Sequence, residues 1–470
     1  MAEVSEVWRQ RVGGGVAGLA LAAGGELALV GCGDGFLHML GAGGKPVWSV
    51  QLGSEPTALG VSLQGDFAAV GLRDGSILFF DGTGKLLWKH DAREAISGLA
   101  LSHNGRHVLV GTEKGGILFL NCATGRVVWS RSAGGPVPAV AVSSAASYAV
   151  AGSQDATVSF MDNYSTNYGG KLVWSQKTKG AVGRVAVSAD GFYTAAASSD
   201  GMVHYIDKLG KLYWSHRMES APASLAISPS GDYLAVGTSG GAHPGQVSLF
   251  HRSEGLLWRY ITGDAGVGSL GIDSRGVFVA AGTDGGEVFL FHRNQKMVWK
   301  QRVEGAAGAV AISPDGKRVV AGTRKGVVYL FDASAAVEAL RSRTEEAVEL
   351  EPSLFRPMRA PPPKAPAAAP GAAAEAAEAA GAAGGGAGVE GERRGISRDA
   401  RTLLEVVVDI CLLVVLGLIL TVFYFTYTGE IGSGVGVTLL IFLLVVMGAL
   451  LMMLYKYVAA RPKRKGPSFY

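Results

Sequence analysis

Three cysteines, nine histidines and a few loop charges are the residues of this 470-residue chain that could do chemistry. Cys32, Cys122 and Cys411 are far apart and none is adjacent to another, so sequence neighbours form no C-x-x-C redox pair and no zinc ribbon. His251 and His292 hold equivalent places in a repeat where other copies carry Asp81, Asp207 or Asp332. That placement reads as variation at a strand end, not as a metal pair. Arg93, Glu94 and Asp264 are the charges in loops otherwise built of small residues, such as Gly13-Gly14-Gly15, Gly134-Gly135, Gly180-Ala181 and Gly305-Ala306-Ala307. The small residues are expected to fill a crowded axis, and three scattered charges suit a rim better than a reacting centre. H-E-x-x-H and Walker sequences are absent. The 69 glycines punctuate hairpin turns, not strand-to-helix junctions, so they are not nucleotide fingerprints. With a formal net charge of only +4 and no massed basic positions, nucleic acid is not an expected partner. No catalytic, cofactor-binding or metal residue is expected.

The elements that would position any site are written in the tryptophans. Trp8, Trp48, Trp88, Trp129, Trp174, Trp214, Trp258 and Trp299 follow one another at gaps of 40, 40, 41, 45, 40, 44 and 41 residues. Such a period means a propeller or a solenoid. Residues 98–129, GLALSHNGRHVLVGTEKGGILFLNCATGRVVW, show one unit: four short apolar or alternating runs separated by turn residues. Asn104-Gly105 and its equivalents at Gly65, Gly191, Gly231 and Gly316 supply the positive φ of tight hairpins. Four antiparallel strands in about 41 residues make one propeller blade. Inner strands fall at 18–22, 59–62, 99–102, 140–143, 185–188, 225–228, 270–273 and 310–313, so eight blades are expected. The last unit lacks its tryptophan strand, and a spare one sits at 4–12, which predicts that the N-terminal segment closes the ring. Each indole is read as packing between neighbouring blades. Two insertions, at 163–170 and 240–245, depart from the repeat, either as neutral loop growth or as partner-contact loops.

Phe79-Phe-Asp-Gly-Thr-Gly-Lys-Leu-Leu-Trp88 and Val327-Val-Tyr-Leu-Phe-Asp332 resemble the repeats of quinoprotein-type (PQQ-like) β-propellers, and the Ala-x-Ser-x-Asp-Gly starts are shared with WD40-like repeats. The Trp-Asp dipeptide of WD40 is absent, which favours the PQQ-like reading. The resemblance covers residues 1–332 and implies an eight-bladed all-β ring. An enzyme of that family would need carboxylate and amide ligands for calcium on the axis, often with adjacent cysteines; this chain matches neither.

Beyond the ring the pattern changes. The chain divides into a propeller (1–333), a short amphipathic helix (334–351), a Pro/Ala/Gly-rich linker (352–401), two apolar spans (402–460) and a basic tail (461–470). The helix carries Val337, Leu340, Ala347 and Val348 on one side and either docks on the propeller or pairs with a partner. The linker composition predicts a disordered tether. Stretches 403–427 and 435–458 are each long enough to cross a hydrocarbon core of roughly 30 Å. Asp409 lies near the start of the first, as a buried functional carboxylate or as a group reaching the interface. Arg393, Arg394, Arg398 and Arg401 precede the hairpin, and Lys456, Arg461, Lys463, Arg464 and Lys465 end it, which predicts both chain ends and the propeller on the cytoplasmic side.

The expected function is therefore a non-enzymatic scaffold that binds protein partners at a membrane, with no cofactor. The alternatives are a degenerate quinoprotein-like enzyme or ligand sensor using the axial funnel, and a scaffold with its head outside the cytoplasm, like quinoprotein-like envelope assembly factors.

Overall fold

The structure, a computed structural model, describes residues 4–340 apart from 23, 164–168, 241–243, 264 and 295–296. The chain divides into two units, Met1–Ala360 and Pro361–Tyr470, and every described residue belongs to the first. Among the described residues the strands assemble into eight four-stranded antiparallel sheets. Blades one to seven span residues 16–51, 56–91, 96–132, 139–177, 182–217, 222–263 and 267–302. In each, strands A to D follow chain order, and the A strands contact one another around the hub.

Blade eight is composite. Its A, B and C strands are β30 (Ala307–Ile312), β31 (Arg318–Thr323) and β32 (Val327–Asp332), and its D strand is β1 (Ser5–Arg11). The register runs from Ser5 opposite Asp332 to Arg11 opposite Val327, so the N-terminal strand closes the circle. The chain then turns into a helix, α1 (334–340), where other blades make their C–D turn. Asp332 Oδ1 accepts the Ser334 amide at 2.7 Å and caps this helix, as a carboxylate at a helix start should. Ala336 and Val337 are buried, and Val337 joins Phe278, Phe331 and the flanking Val4 and Leu340 in one apolar cluster. The described turn of the amphipathic helix thus packs on the closing blade. Residues 341–351, the linker, both apolar spans with Cys411 and Asp409, and the basic tail lie outside the described residues. No helix among the described residues is long and apolar enough to cross a membrane.

The A–B corners show why the Ser-x-Asp-Gly sequence recurs. The buried hydroxyls of Ser62, Ser102, Ser143, Ser188, Ser228 and Ser313 each accept the amide five residues on, at 2.9–3.0 Å. Blade seven has Asp273 there, fully buried, with Oδ1 accepting the amides of Val277 and Phe278 at 2.6 and 2.9 Å. Removing both acceptors with Asp273→Ala should cost about 2–3 kcal/mol, because two buried donors lose their partner. Asp273→Ser should stay within about 1 kcal/mol of the parent, since serine fills the same place in six other blades. Urea unfolding of the two variants checks the contrast; equal losses would show that the corner does not depend on an acceptor.

Candidate functional site: hub, tryptophan joints and an apolar rim

The eight tryptophans sit at the joints between blades. Within its own blade the ring stacks on the facing C-strand aromatic, as in Phe79–Trp88 (5.1 Å), Phe119–Trp129 (5.3 Å), Phe160–Trp174 (5.2 Å) and Tyr205–Trp214 (5.2 Å). Across the joint the indole N–H donates to the C–D turn of the next blade. Trp8 bonds Ala42 O at 2.7 Å, Trp48 bonds Gly82 O at 3.1 Å, Trp88 bonds Cys122 O at 2.6 Å and Trp174 bonds Lys208 O at 3.2 Å. Trp214 and Trp258 reach Arg252 O and Arg293 O, and Trp129 reaches Asn163 Oδ1 at the start of the blade-four insertion. Trp299 packs on Phe331, 4.6 Å between ring centres, beside the helix that replaces a C–D turn. The turn glycine must lack a side chain for this seat. A Cβ on Gly84, whose φ is +83°, would lie 2.7 Å from the Trp48 ring.

The glycines that follow each tryptophan do not fill the axis, as the sequence suggested. They let each incoming loop cross the B–C turn of the blade it enters: Gly134 N donates to Asp155 Oδ2 at 2.7 Å, and a Cβ on Gly14 or Gly180 would strike Asp34 or Asp200. The axis is occupied by the ends of the A strands. Leu21, Val142, Val187, Ile227, Ile272 and Ile312 line a cavity of about 250 Å³. Its mouth is a collar of backbone hydrogen bonds running blade to blade. Leu63 N bonds His103 O, His103 N bonds Ser144 O, Ser144 N bonds Ala189 O and Ala189 N bonds Pro229 O, at 2.9–3.1 Å. Pro229 and Pro314 have no N–H to pass on, so the collar ends at each of them. The donors here are His103 and Ser144, which bond each other at 2.8 Å, and Ser274, whose hydroxyl donates to Pro314 O at 2.6 Å. This lining suits an apolar occupant and offers no carboxylate for calcium.

The residues singled out for chemistry are engaged in the scaffold. Burial pushes the Cys32 and Cys122 thiols up to about 12, with Asp34 adding to the effect at Cys32, so both stay neutral and unreactive. His292 Nδ1 accepts the Asn294 amide and His251 Nδ1 bonds Ser253 Oγ, reproducing the turn that Asp81 makes with Thr83 and Lys85. A histidine thus replaces an aspartate as a turn acceptor. The Asp91 carboxylate accepts the amide of Arg93, whose φ is +61°, and Glu94 accepts the Thr112 hydroxyl at 2.6 Å. Asp264 lies outside the described residues, as do 164–168 and 241–243 of the two insertions. No group of three metal-ligating side chains occurs among the described residues.

The two faces of the disc differ chemically. Strand alternation puts the A–B and C–D turns on one face, where β32 ends, α1 follows and β1 begins; this is the exit face. Among the described residues, every exposed large hydrophobic side chain except Ile261 lies in those turns or in the first half of a D strand, next to that face. Leu86 and Leu87, Val127 and Val128, Leu172 and Val173, Leu212 and Tyr213, and Leu256 and Leu257 place an exposed apolar pair ahead of five of the eight tryptophans. The opposite face presents charged B–C turns, among them Asp34, Arg73, Asp74, Glu113, Lys114 and Lys325. The result is an apolar belt around one rim. The sequence shows these residues only as parts of strands, without their common exposure; the signal was an apolar pair before most of the tryptophans, Trp8 with Glu6-Val7 being an exception, on a strand that has no outer neighbour.

Residues 33–167 match a family model described as outer membrane protein assembly factor BamB. Over those residues the ring is similar to PQQ-like repeats. No curated protein sequence matches the chain. Among solved structures, Sqt1 of Chaetomium thermophilum, bound to the N-terminus of a ribosomal protein, superposes with a TM-score of 0.60 at 19% identity, covering 68% of this chain and 97% of that one. BamB of Moraxella catarrhalis gives 0.55 at 20% identity over 70% and 100%. A computationally designed propeller, Ika8, gives 0.59 at 19% over 69% and 98%. At such identities the likeness is one of fold.

Proposed function

We propose that this protein is a non-enzymatic platform that holds protein partners on its apolar rim while its C-terminal hairpin keeps it at a membrane. The exposed aliphatic side chains that recur at the start of one D strand after another carry the reading, because apolar side chains left uncovered on the same rim in successive repeats give a partner surface to cover. The hub supports it: aliphatic walls and a hydrogen-bonded collar make a stiff disc whose polar side chains, His103, Ser144 and Ser274, are engaged with one another or with backbone. That Sqt1 was solved with a ribosomal protein segment bound, and that the BamB family is described as an assembly factor, agree with a propeller used for binding proteins. Stretches 403–427 and 435–458 would form the anchor, and the flanking basic residues would hold both ends on the cytoplasmic side.

A photo-crosslinking amino acid at Leu87 or Val128 of the full chain, irradiated in its native membranes, should give discrete adducts, whereas one at Lys114 on the charged face should not. Absence of adducts from both rim positions would sink the platform reading. The BamB likeness favours a second location, with the head outside the cytoplasm. Protease added to sealed inside-out vesicles should digest the propeller; full protection would select the second location.

A further inference from the structure

We infer that blade five rests on the lipid surface, with Leu209 and Phe192 as inserted tips; the inference rests on the reading of 403–458 as a membrane anchor. In blade five the repeat is broken twice at the exit face. Where the C–D turn of blade two has Gly82 and Thr83, blade five has Lys208 and Leu209, and Leu209 is 77% exposed at the apex. Where the A–B turns of other blades carry Asp66, Arg106, Asp232 or Lys317, blade five carries Phe192, 40% exposed.

The two tips form one unit. The Lys208 amide donates to Phe192 O at 2.8 Å, and its ammonium sits 3.7 Å from the Phe192 ring centre. Lys211 lies over Tyr213, itself 45% exposed, at 5.8 Å. The nearby carboxylates are drawn into the turns: Asp207 accepts the amides of Leu209 and Lys211 at 2.8 Å, and Asp190 accepts that of Phe192 at 2.9 Å. The turns are therefore held in shape, with apolar tips projecting and ammonium groups beside them. This is a convex knob, not a groove. Apolar and aromatic tips flanked by lysines suit the bilayer interface, where rings and aliphatic ends enter the acyl boundary and ammonium groups meet anionic headgroups.

The chain's own path selects lipid as the occupant. Residue 340, the last described before the linker, lies on this same face, and roughly 60 residues separate it from the first apolar span; a flexible linker of that length would reach about 40 Å. Two tips alone would bind a vesicle weakly. Anchoring raises their local concentration to about the millimolar range, where weak insertion suffices. The blade-five part of the exit face would then meet the lipid, leaving the rim of blades two and three for protein partners.

The test uses the full chain with Cys411→Ser, bearing an environment-sensitive nitrobenzoxadiazole label at Leu209→Cys or Lys114→Cys; Cys32 and Cys122 are buried and take no label. The protein is reconstituted into phosphatidylcholine vesicles with and without phosphatidylglycerol, floated and washed with carbonate. The 209 label should brighten roughly threefold, shift to the blue and be quenched by spin-labelled lipid, most with phosphatidylglycerol, while the 114 label stays water-like. Phe192→Ser should at least halve the response, and an undiminished response would overturn the paired tips. A chain that floats through the wash with its 209 label as water-like as 114 overturns lipid docking but keeps the anchor, leaving the knob to a protein. A chain stripped by carbonate whose 209 label responds keeps docking and removes the anchor. A chain that never floats overturns both.

Discussion

Deleting residues 1–12 should lower the melting temperature by roughly 10 °C or more and broaden the transition. The segment supplies the outer strand of blade eight, and its loss strips β32 of its partner from Val327 to Asp332. It also removes Trp8 from its seat on blade one and Val12, 6% exposed, from the cluster with Val16, Val30, Val328 and Leu330. The apolar area involved corresponds to about 5 kcal/mol or somewhat more as an upper range. The uncovered edge should also draw chains together, since an unpaired strand is a template for another. Calorimetry with a sedimentation measurement checks both effects, and a peptide of residues 1–12 added back should recover part of the loss. A cooperative melt at the parental temperature would mean that closure contributes little.

Stability should fall steeply as pH drops below about 6.5. His38, His107 and His204 are all held below the ordinary imidazole range, each chiefly by burial. At His38 Asp34 and at His204 Asp200 pull the other way, and at His107 Arg106 adds to the lowering. A lowered folded-state value means that the unfolded chain binds the proton first. Above the unfolded value both states are neutral and nothing is lost. Below it the unfolded state gains protons that the folded state refuses, until pH reaches the folded value. Each such histidine adds a slope of up to about 1.4 kcal/mol per pH unit inside that window. His107 stacks on Phe119 at 4.9 Å, so His107→Phe keeps the ring contact and removes the titration. Urea midpoints between pH 7.5 and 5 should drop less for His107→Phe than for the parent. Parallel curves would show that this imidazole does not couple folding to pH.

Much of the ring was legible because a propeller is nearly one-dimensional: each blade meets only its neighbours, so the pattern along the chain is the pattern in space. The tryptophan period led to eight blades, and the displaced tryptophan strand at 4–12 led to the pairing of β1 with β32. The candidate surface was far less legible. Leu209 and Phe192 stand out from the repeat only when the turns are aligned blade to blade, and that the two project side by side, joined through Lys208, needed the fold. The loop glycines misled for a related reason: small residues mark a close approach, but their spacing does not say whether the neighbour is the axis or an aspartate of the adjacent turn.

Strand number and turn chemistry follow from the order of residues alone, because backbone hydrogen bonding and side-chain alternation act over a few residues, and the spare tryptophan strand at 4–12 marks where the ring closes. The aliphatic hub, the collar that stops at Pro229 and Pro314, and the two unlike faces arise only when eight copies stand in a circle. Closure makes equivalent positions converge on one axis and turns the start of each D strand toward one rim, and that geometry decides which apolar side chains are covered and which are left to meet something else.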